Sequence, residues 1–386
     1  MENFKFLVES APEIPHEQQK EKEALVTPEM IKVAENALRD FVALKESERV
    51  KFLKDKKTNP ATLNLLQAAI KSIGCESQEI RLSKRIKKDL PELTKESVII
   101  DLGGESGLVG DLYDELPEIN SRLLALYDAS PDVFRADGPM SERREDLENR
   151  LNKMDEVLRD ATGFKITSGY GTDLKVPLRM AKERKWFKDS GAIDTPGRWD
   201  NLPGGEIYTC PDEEKVSGVL VLPVLDSEIS GEQGVDKFVR VKIYSGKIIL
   251  IQGGESAQKL RQILEESAKE EHEEGSGNPW NVYTIAEIAF GANSKARSVV
   301  RDENQPYNFA GTPTVEAEKR LGTMHLAFGD AKHGEEEAEG FREAVSHFDF
   351  VIPRNGLTVE MFTNEGDFER GKNGRKIIND GNWSFF

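Results

Sequence analysis

Apolar residues recur along this chain with two different periods, and the change of period divides it. Ile31, Ala34, Ala37, Leu38 and Phe41 follow the spacing of a helix with one buried stripe. Thr27-Pro28-Glu29 precedes them: a hydroxyl to cap the first turn, a proline whose missing N–H costs nothing there, and an acid facing the helix dipole. Residues 49–54 read as a strand, and Asn59-Pro60 opens a second helix through Leu63, Leu65, Leu66, Ala69 and Ile70, which Gly74 stops. Short strands are expected at 79–82, 98–102 and 123–127. A charged run over 141–160 carries Leu147, Leu151, Met154 and Leu158 on one helical face. The strand–helix alternation predicts a parallel-sheet α/β domain over 27–162, preceded by a polar lead-in over 1–26.

After residue 163 the period shortens. Segments 216–225 and 238–244 are strand-like, and Ser245-Gly246-Lys247 turns the chain back into 248–252 as a hairpin. A helix starts at Gly253-Gly254-Glu255-Ser256, runs through Leu260, Ile263 and Leu264, and ends in the acidic run 270–274. The expected class is α/β, with the parallel-sheet domain followed by a β-rich α+β metal-binding domain over 163–386.

Composition narrows the function classes. A net charge of −17 lacks the basic footprint of a nucleic-acid-binding surface, so no nucleic-acid partner is expected. Two cysteines, Cys75 and Cys210, give neither a disulfide framework nor a thiolate cluster. No apolar run approaches the roughly 20 residues of a membrane helix, and Met1-Glu2-Asn3-Phe4 does not begin a signal peptide. No membrane partner and a cytoplasmic address are the expectations.

The chemistry concentrates near the C-terminus. Of five histidines, His325, His333 and His347 fall within 286–352. His347 and Asp349 stand two apart in an apolar run, so on a strand imidazole and carboxylate point the same way while Phe348 and Phe350 face the opposite layer. Glu206, after Gly204-Gly205, and Glu287, within Ile285-Ala286 and Ile288-Ala289-Phe290, are acids among apolar neighbours, and buried carboxylates need a partner or a metal. With His325, His347 and Asp349 they make an oxygen and nitrogen donor set that suits zinc, cobalt, manganese or iron. The residues alone leave metal binding and internally satisfied core polar groups equally open. Asp101-Leu102-Gly103-Gly104-Glu105-Ser106-Gly107 follows a strand but has neither the GxGxxG spacing nor the Walker lysine, and it reads as a tight turn.

Five segments in order, GTDL at 171–174, NLPGGEIYTCP at 201–211, AEIAFGAN at 286–293, EKRLGTMHLAFG at 318–329 and SHFDF at 346–350, resemble the aminopeptidase T family of two-metal metalloaminopeptidases. The resemblance is close over 165–360 and looser over 30–165. It implies a homodimer that hydrolyses N-terminal residues from peptide substrates, with two divalent ions (zinc, cobalt, manganese or magnesium) held by Glu206, Glu287, Glu318, His325, His347 and Asp349. Glu287 would act as general base on a metal-bridging water. The family has a tyrosine seven residues after the motif histidine, where this chain has Lys332; Lys332 is the expected catalytic stand-in, with His333 and Tyr307 as alternatives. The same scaffold also resembles 2,5-dihydroxypyridine ring-cleaving dioxygenases, in which His325, His347 and Asp349 would hold a single Fe(II); retention of Glu206 and Glu287 favours two metals. A third reading is a non-catalytic, metal-stabilised relative, motivated by Lys332 and the acidic loop 334–340.

Overall fold

The first two helices form where their caps place them. In the computed structural model α1 spans Pro28–Asp40, and the Thr27 hydroxyl accepts the Met30 N–H at 3.2 Å. Helix α2 spans Pro60–Ile73, with the Asn59 side chain accepting the N–H groups of Ala61 and Thr62 and Gly74 closing the end at φ 92°. The structure describes residues 26–386 apart from 104–108, 128, 180–184, 224, 226–228, 230–234, 298–313 and 333–341. The lead-in up to residue 25, residues 104–107 of the turn read over 101–107, Tyr307, His333 and the acidic loop lie outside the described residues.

Strands β1 (Arg49–Lys54), β2 (Glu76–Arg81), β3 (Val98–Asp101) and β4 (Arg122–Ala125) form the predicted parallel sheet. Every residue of β3 and β4 is buried, as a sheet covered on both faces requires. Helix α4 (Gly110–Ile119) connects β3 to β4, and α5 (Arg144–Leu158) buries Leu147, Leu151, Met154 and Leu158. The order is β2-β1-β3-β4-β8, where β8 is Trp199–Asn201. The chain therefore crosses back over the expected division at 162/163 and adds a strand to the first sheet.

The remainder is two antiparallel sheets. One has the order β12-β11-β10-β6-β5-β16-β17-β18, from β5 (Gly163–Thr167), β6 (Asp173–Pro177), β10 (Ser217–Leu222), β11 (Val239–Tyr244), β12 (Lys247–Gln252), β16 (Thr358–Phe362), β17 (Arg375–Asn379) and β18 (Asn382–Trp383). The β11–β12 hairpin turns on Ser245 (φ 48°) and Gly246 (φ 70°), the two positive angles a tight two-residue turn demands. The other has the order β15-β14-β13-β9-β7, from β7 (Phe187–Asp189), β9 (Glu206–Thr209), β13 (Ile285–Gly291), β14 (Met324–Gly329) and β15 (His347–Ile352). Aromatic rings join the two: Phe290 of β13 lies 5.5 Å from Phe164 of β5 and 5.4 Å from Trp383 of β18. Among the described residues no helix is long and apolar enough to cross a membrane.

Candidate metal centre

The five-stranded sheet sorts its residues by alternation. In β13, β14 and β15 the residues Ile288, Phe290, Leu326, Phe328, Phe350 and Ile352 are buried on one face. The other face carries Glu287, Ala289 and Gly291 on β13, His325, Ala327 and Gly329 on β14, and His347 and Asp349 on β15. The register aligns them: Glu287 opposite Ala327, Ala289 opposite His325, Asp349 opposite Ala327, His347 opposite Gly329, and Glu206 of β9 opposite Gly291. Alanine and glycine between the donors leave space where they converge. Two of these glycines also admit neighbouring chain. A Cβ at Gly291 would stand 2.2 Å from the Arg320 carbonyl, and one at Gly329, where φ is 108°, would stand 2.0 Å from that of Ser346. Glu318 reaches the same place from the end of the short helix Thr314–Glu318.

Six residues expected as ligands are thus brought to one place. His325 Nε2 lies 2.8 Å from Glu287 Oε1, 3.4 Å from Glu206 Oε2 and 3.7 Å from Asp349 Oδ1. His347 Nε2 lies 3.3 Å from the same Asp349 Oδ1. The side chain of His347 is 29% exposed, and its Nδ1 donates to the Asp330 carbonyl at 2.7 Å, which fixes the ring and turns Nε2 inward. Donor atoms of Glu206, Glu287 and His325 cluster closely enough for one ion, as do those of Glu318, His325 and Asp349. His347 joins through Asp349.

Negative charge concentrates around His325. Burial alone would lower the His325 pKa, but the hydrogen bond to Glu287 and the charges of Glu206, Asp349 and Glu318 hold it up at about 10. Burial pushes Glu318 up to about 7 against the pull of Lys319. Asp349 is held below the usual carboxylate range: burial opposes this, and His347 and His325 prevail. Four buried atoms here, Glu206 Oε2, Glu318 Oε2, His325 Nδ1 and Asp349 Oδ1, have no hydrogen-bond partner. Buried polar atoms are seldom left so, because each costs about 1–3 kcal/mol. A divalent ion beside His325 Nε2 would take up the carboxylate oxygens of this set and displace the proton from that nitrogen. The residues present fit a metal.

Two charged residues near the cluster, Lys319 and Asp200, escaped the sequence reading. Lys319 is 2% exposed, and its ammonium lies 2.5 Å from Glu206 Oε1, 3.0 Å from Glu318 Oε1 and 3.9 Å from Asp189 Oδ2. Burial would lower its pKa, but Glu206 and Glu318 raise it well above the ordinary value. In Glu318-Lys319-Arg320 it reads as one charge in a surface run, and only the fold turns it inward. Asp200 of β8 titrates well above the ordinary range through burial and its neighbour Asp189. Lys332 is the reverse case. Its side chain is 51% exposed and pairs with Glu343, so the catalytic role expected for it has no geometric support. Cys75 and Cys210 are thiols rather than disulfide partners, both buried.

Comparison with known proteins corrects the activity. The family model for NicX, 2,5-dihydroxypyridine 5,6-dioxygenase, matches residues 29–363. A curated protein of Pseudomonas putida KT2440, 2,5-dihydroxypyridine 5,6-dioxygenase, is 29% identical over 153 residues; the match takes in 40% of this chain and spans 40% of the length of that relative. Among solved structures, the 2,5-dihydroxypyridine dioxygenase of the same organism aligns with TM-score 0.64 at 18% identity, covering 92% of this chain and 97% of the other. Wild-type AmpT of Thermus thermophilus aligns with TM-score 0.60 at 14% identity, covering 92% of this chain and 99% of the other. At these identities both structures testify to the fold alone. The aminopeptidase assignment, with its hydrolytic activity and peptide substrates, is therefore overturned. Four of the five ordered segments contribute strands to the sheet that carries the candidate ligands, GTDL runs into β6 of the other antiparallel sheet, and both structural neighbours share the fold that contains them. The match over residues 29–363 decides between them: the chain belongs to the 2,5-dihydroxypyridine 5,6-dioxygenase family.

Proposed function

We propose that this protein is a mononuclear, iron-dependent dioxygenase that cleaves a hydroxylated N-heteroaromatic ring of the 2,5-dihydroxypyridine type. The observation that carries the reading is Asp349 Oδ1 lying between two imidazoles, 3.7 Å from His325 Nε2 and 3.3 Å from His347 Nε2. Two histidines and one carboxylate with open positions are the donor set of non-haem Fe(II) oxygenases. His325, His347 and Asp349 would hold the iron, which would supply the redox chemistry for ring cleavage by dioxygen.

Lys319 supports one ion rather than two. Glu206 and Glu318 are the extra carboxylates a second metal would use, and the buried ammonium already pairs with an oxygen of each. Glu287 Oε1 lies 2.8 Å from His325 Nε2, the nitrogen an ion would take, so once that proton is displaced the carboxylate would stand beside the ion as a further donor or a base. Glu206 offers its second oxygen, Oε2, to a substrate hydroxyl and can hold the proton that hydroxyl gives up. Glu287 and His325, 2% and 1% exposed, keep bulk water from the inner side of the site.

The test is metal analysis and oxygen uptake on protein reconstituted anaerobically with Fe(II). About one iron per chain and oxygen consumption dependent on 2,5-dihydroxypyridine are expected. Two divalent ions per chain, or full iron occupancy without oxygen consumption, would overturn the proposal.

A further inference from the structure

His347 is the first residue of β15, and β15 is an edge strand whose ladder partner is β14. Strand ends open most readily, and an edge strand is restrained from one side. The approach to His347 adds to the problem: residues 342–346 are irregular, and Glu343 and Val345 are exposed. Hydrogen bonds nevertheless tie each of these residues. The Arg342 and Ser346 carbonyls accept the N–H groups of Ala331 and Asp330 at 2.8 and 2.7 Å, and the Ala344 N–H donates to the Asp330 carboxylate at 3.0 Å. Those bonds come from the residues that follow β14 directly.

The remaining ties come from a distant element. The Val345 N–H donates to Glu271 Oε2 at 2.7 Å, across 74 residues of sequence. Glu271 lies in the last turn of the helix Glu255–Glu273 and is buried, whereas Glu270, Glu273 and Glu274 around it are exposed. Its other oxygen accepts the N–H of Ser276 at 3.0 Å and the Ser276 hydroxyl. The Asn281 amide donates to Ser276 Oγ at 2.8 Å and to the Glu343 carbonyl at 3.2 Å, a second link from the same turn. A Cβ at Gly275 would stand 2.7 Å from Glu271 Oε2 and 2.9 Å from the Val345 side chain, so the turn closes on both.

The helix itself does not explain this carboxylate. An acid in the last turn faces the negative end of the helix dipole and opposes it. Burial would raise its pKa, yet the bonds from Ser276 and Val345 hold it below the ordinary glutamate value. A buried charge that gathers donors from outside its own helix is a charge-assisted anchor for what it gathers. We propose that Glu271 is a positioning residue for the metal centre, fixing from outside the cluster the segment that delivers His347. The inference rests on the reading of His347 as a ligand.

The test compares wild type, Glu271→Gln and His347→Ala. Glutamine keeps the size of the side chain and one acceptor oxygen, but turns an N–H group toward Ser276 or Val345, so it is a variant little prone to misfold. Hydrogen–deuterium exchange of the metal-free protein should quicken about tenfold over 342–349 in Glu271→Gln and stay unchanged over β3 and β4. Anaerobic titration with Fe(II) against a competing chelator should show iron bound about tenfold more weakly. A Glu271 that served the fold alone would lower the melting temperature of the metal-free protein and leave iron affinity at the wild-type value, and that result overturns the proposal. If His347→Ala loses iron while Glu271→Gln keeps wild-type affinity, the positioning role fails and the ligand reading stands. If His347→Ala binds iron as tightly as wild type, the ligand reading fails; quickened exchange over 342–349 in Glu271→Gln then upholds the anchor, and unchanged exchange overturns it.

Discussion

Lys319 is the residue whose replacement says most about charge at this site. Lys319→Met leaves Glu206 and Glu318 buried without their cation, a change that typically costs about 3–5 kcal/mol. Denaturant unfolding should show that loss, and restoration of stability by added divalent metal would confirm that the two carboxylates then recruit an ion. At the other extreme, Lys332→Ala removes an exposed ion pair with Glu343 and should leave oxygen uptake unchanged; a large loss would return Lys332 to the site. Asp101 offers a pH test outside the candidate ligand set. It is fully buried, and burial, with a smaller push from Asp55, raises its carboxyl to about 7 against the Gly103 N–H that would lower it. Folding therefore favours the protonated form: the contribution is complete below about pH 4, where the unfolded carboxyl titrates, and is lost as pH rises to about 7. Asp101→Asn should flatten the decline in stability between those limits, read from urea midpoints at both.

At the scale of elements, much of the site could be read from alternation. Ala286-Glu287-Ile288-Ala289-Phe290-Gly291 and Met324-His325-Leu326-Ala327-Phe328-Gly329 each place a donor and small residues on one face and large apolar residues on the other, so the strands and their orientation follow from the residue order. Pairing does not. Nothing local says that β9 lies beside β13 or that Trp199–Asn201 joins the parallel sheet, because register is set by partners far away in the chain. Lys319 was illegible for the same reason. Gly329 tests how closely the strands must approach. Its φ of 108° and the Ser346 carbonyl 2.0 Å from a would-be Cβ leave no room for a side chain. Gly329→Val should displace β15, and with it His347 and Asp349, lowering iron occupancy in metal analysis even where the protein remains folded.

For the whole molecule, the fold class was legible in the change of hydrophobic period, and the activity was not. Four of the five ordered motifs belong to the sheet that carries the candidate ligands and specify donors and packing; they do not specify what a metal held there would do. Metal should also stabilise the whole chain. An ion at 100 times its dissociation constant adds about 2.7 kcal/mol, so Fe(II) should raise the melting temperature and chelation should lower it.

The central claim is that one iron, held by His325, His347 and Asp349, serves oxidative ring cleavage. The most direct measurement is oxygen uptake by anaerobically Fe(II)-loaded protein supplied with 2,5-dihydroxypyridine, alongside Asp349→Ala prepared in the same way. The account predicts oxygen consumption coupled to loss of the ring in the wild-type protein, and a fall of at least about 100-fold with loss of bound iron in the variant. Fully iron-loaded wild-type protein that consumes no oxygen, or an Asp349→Ala variant that keeps both its iron and its rate, would contradict it.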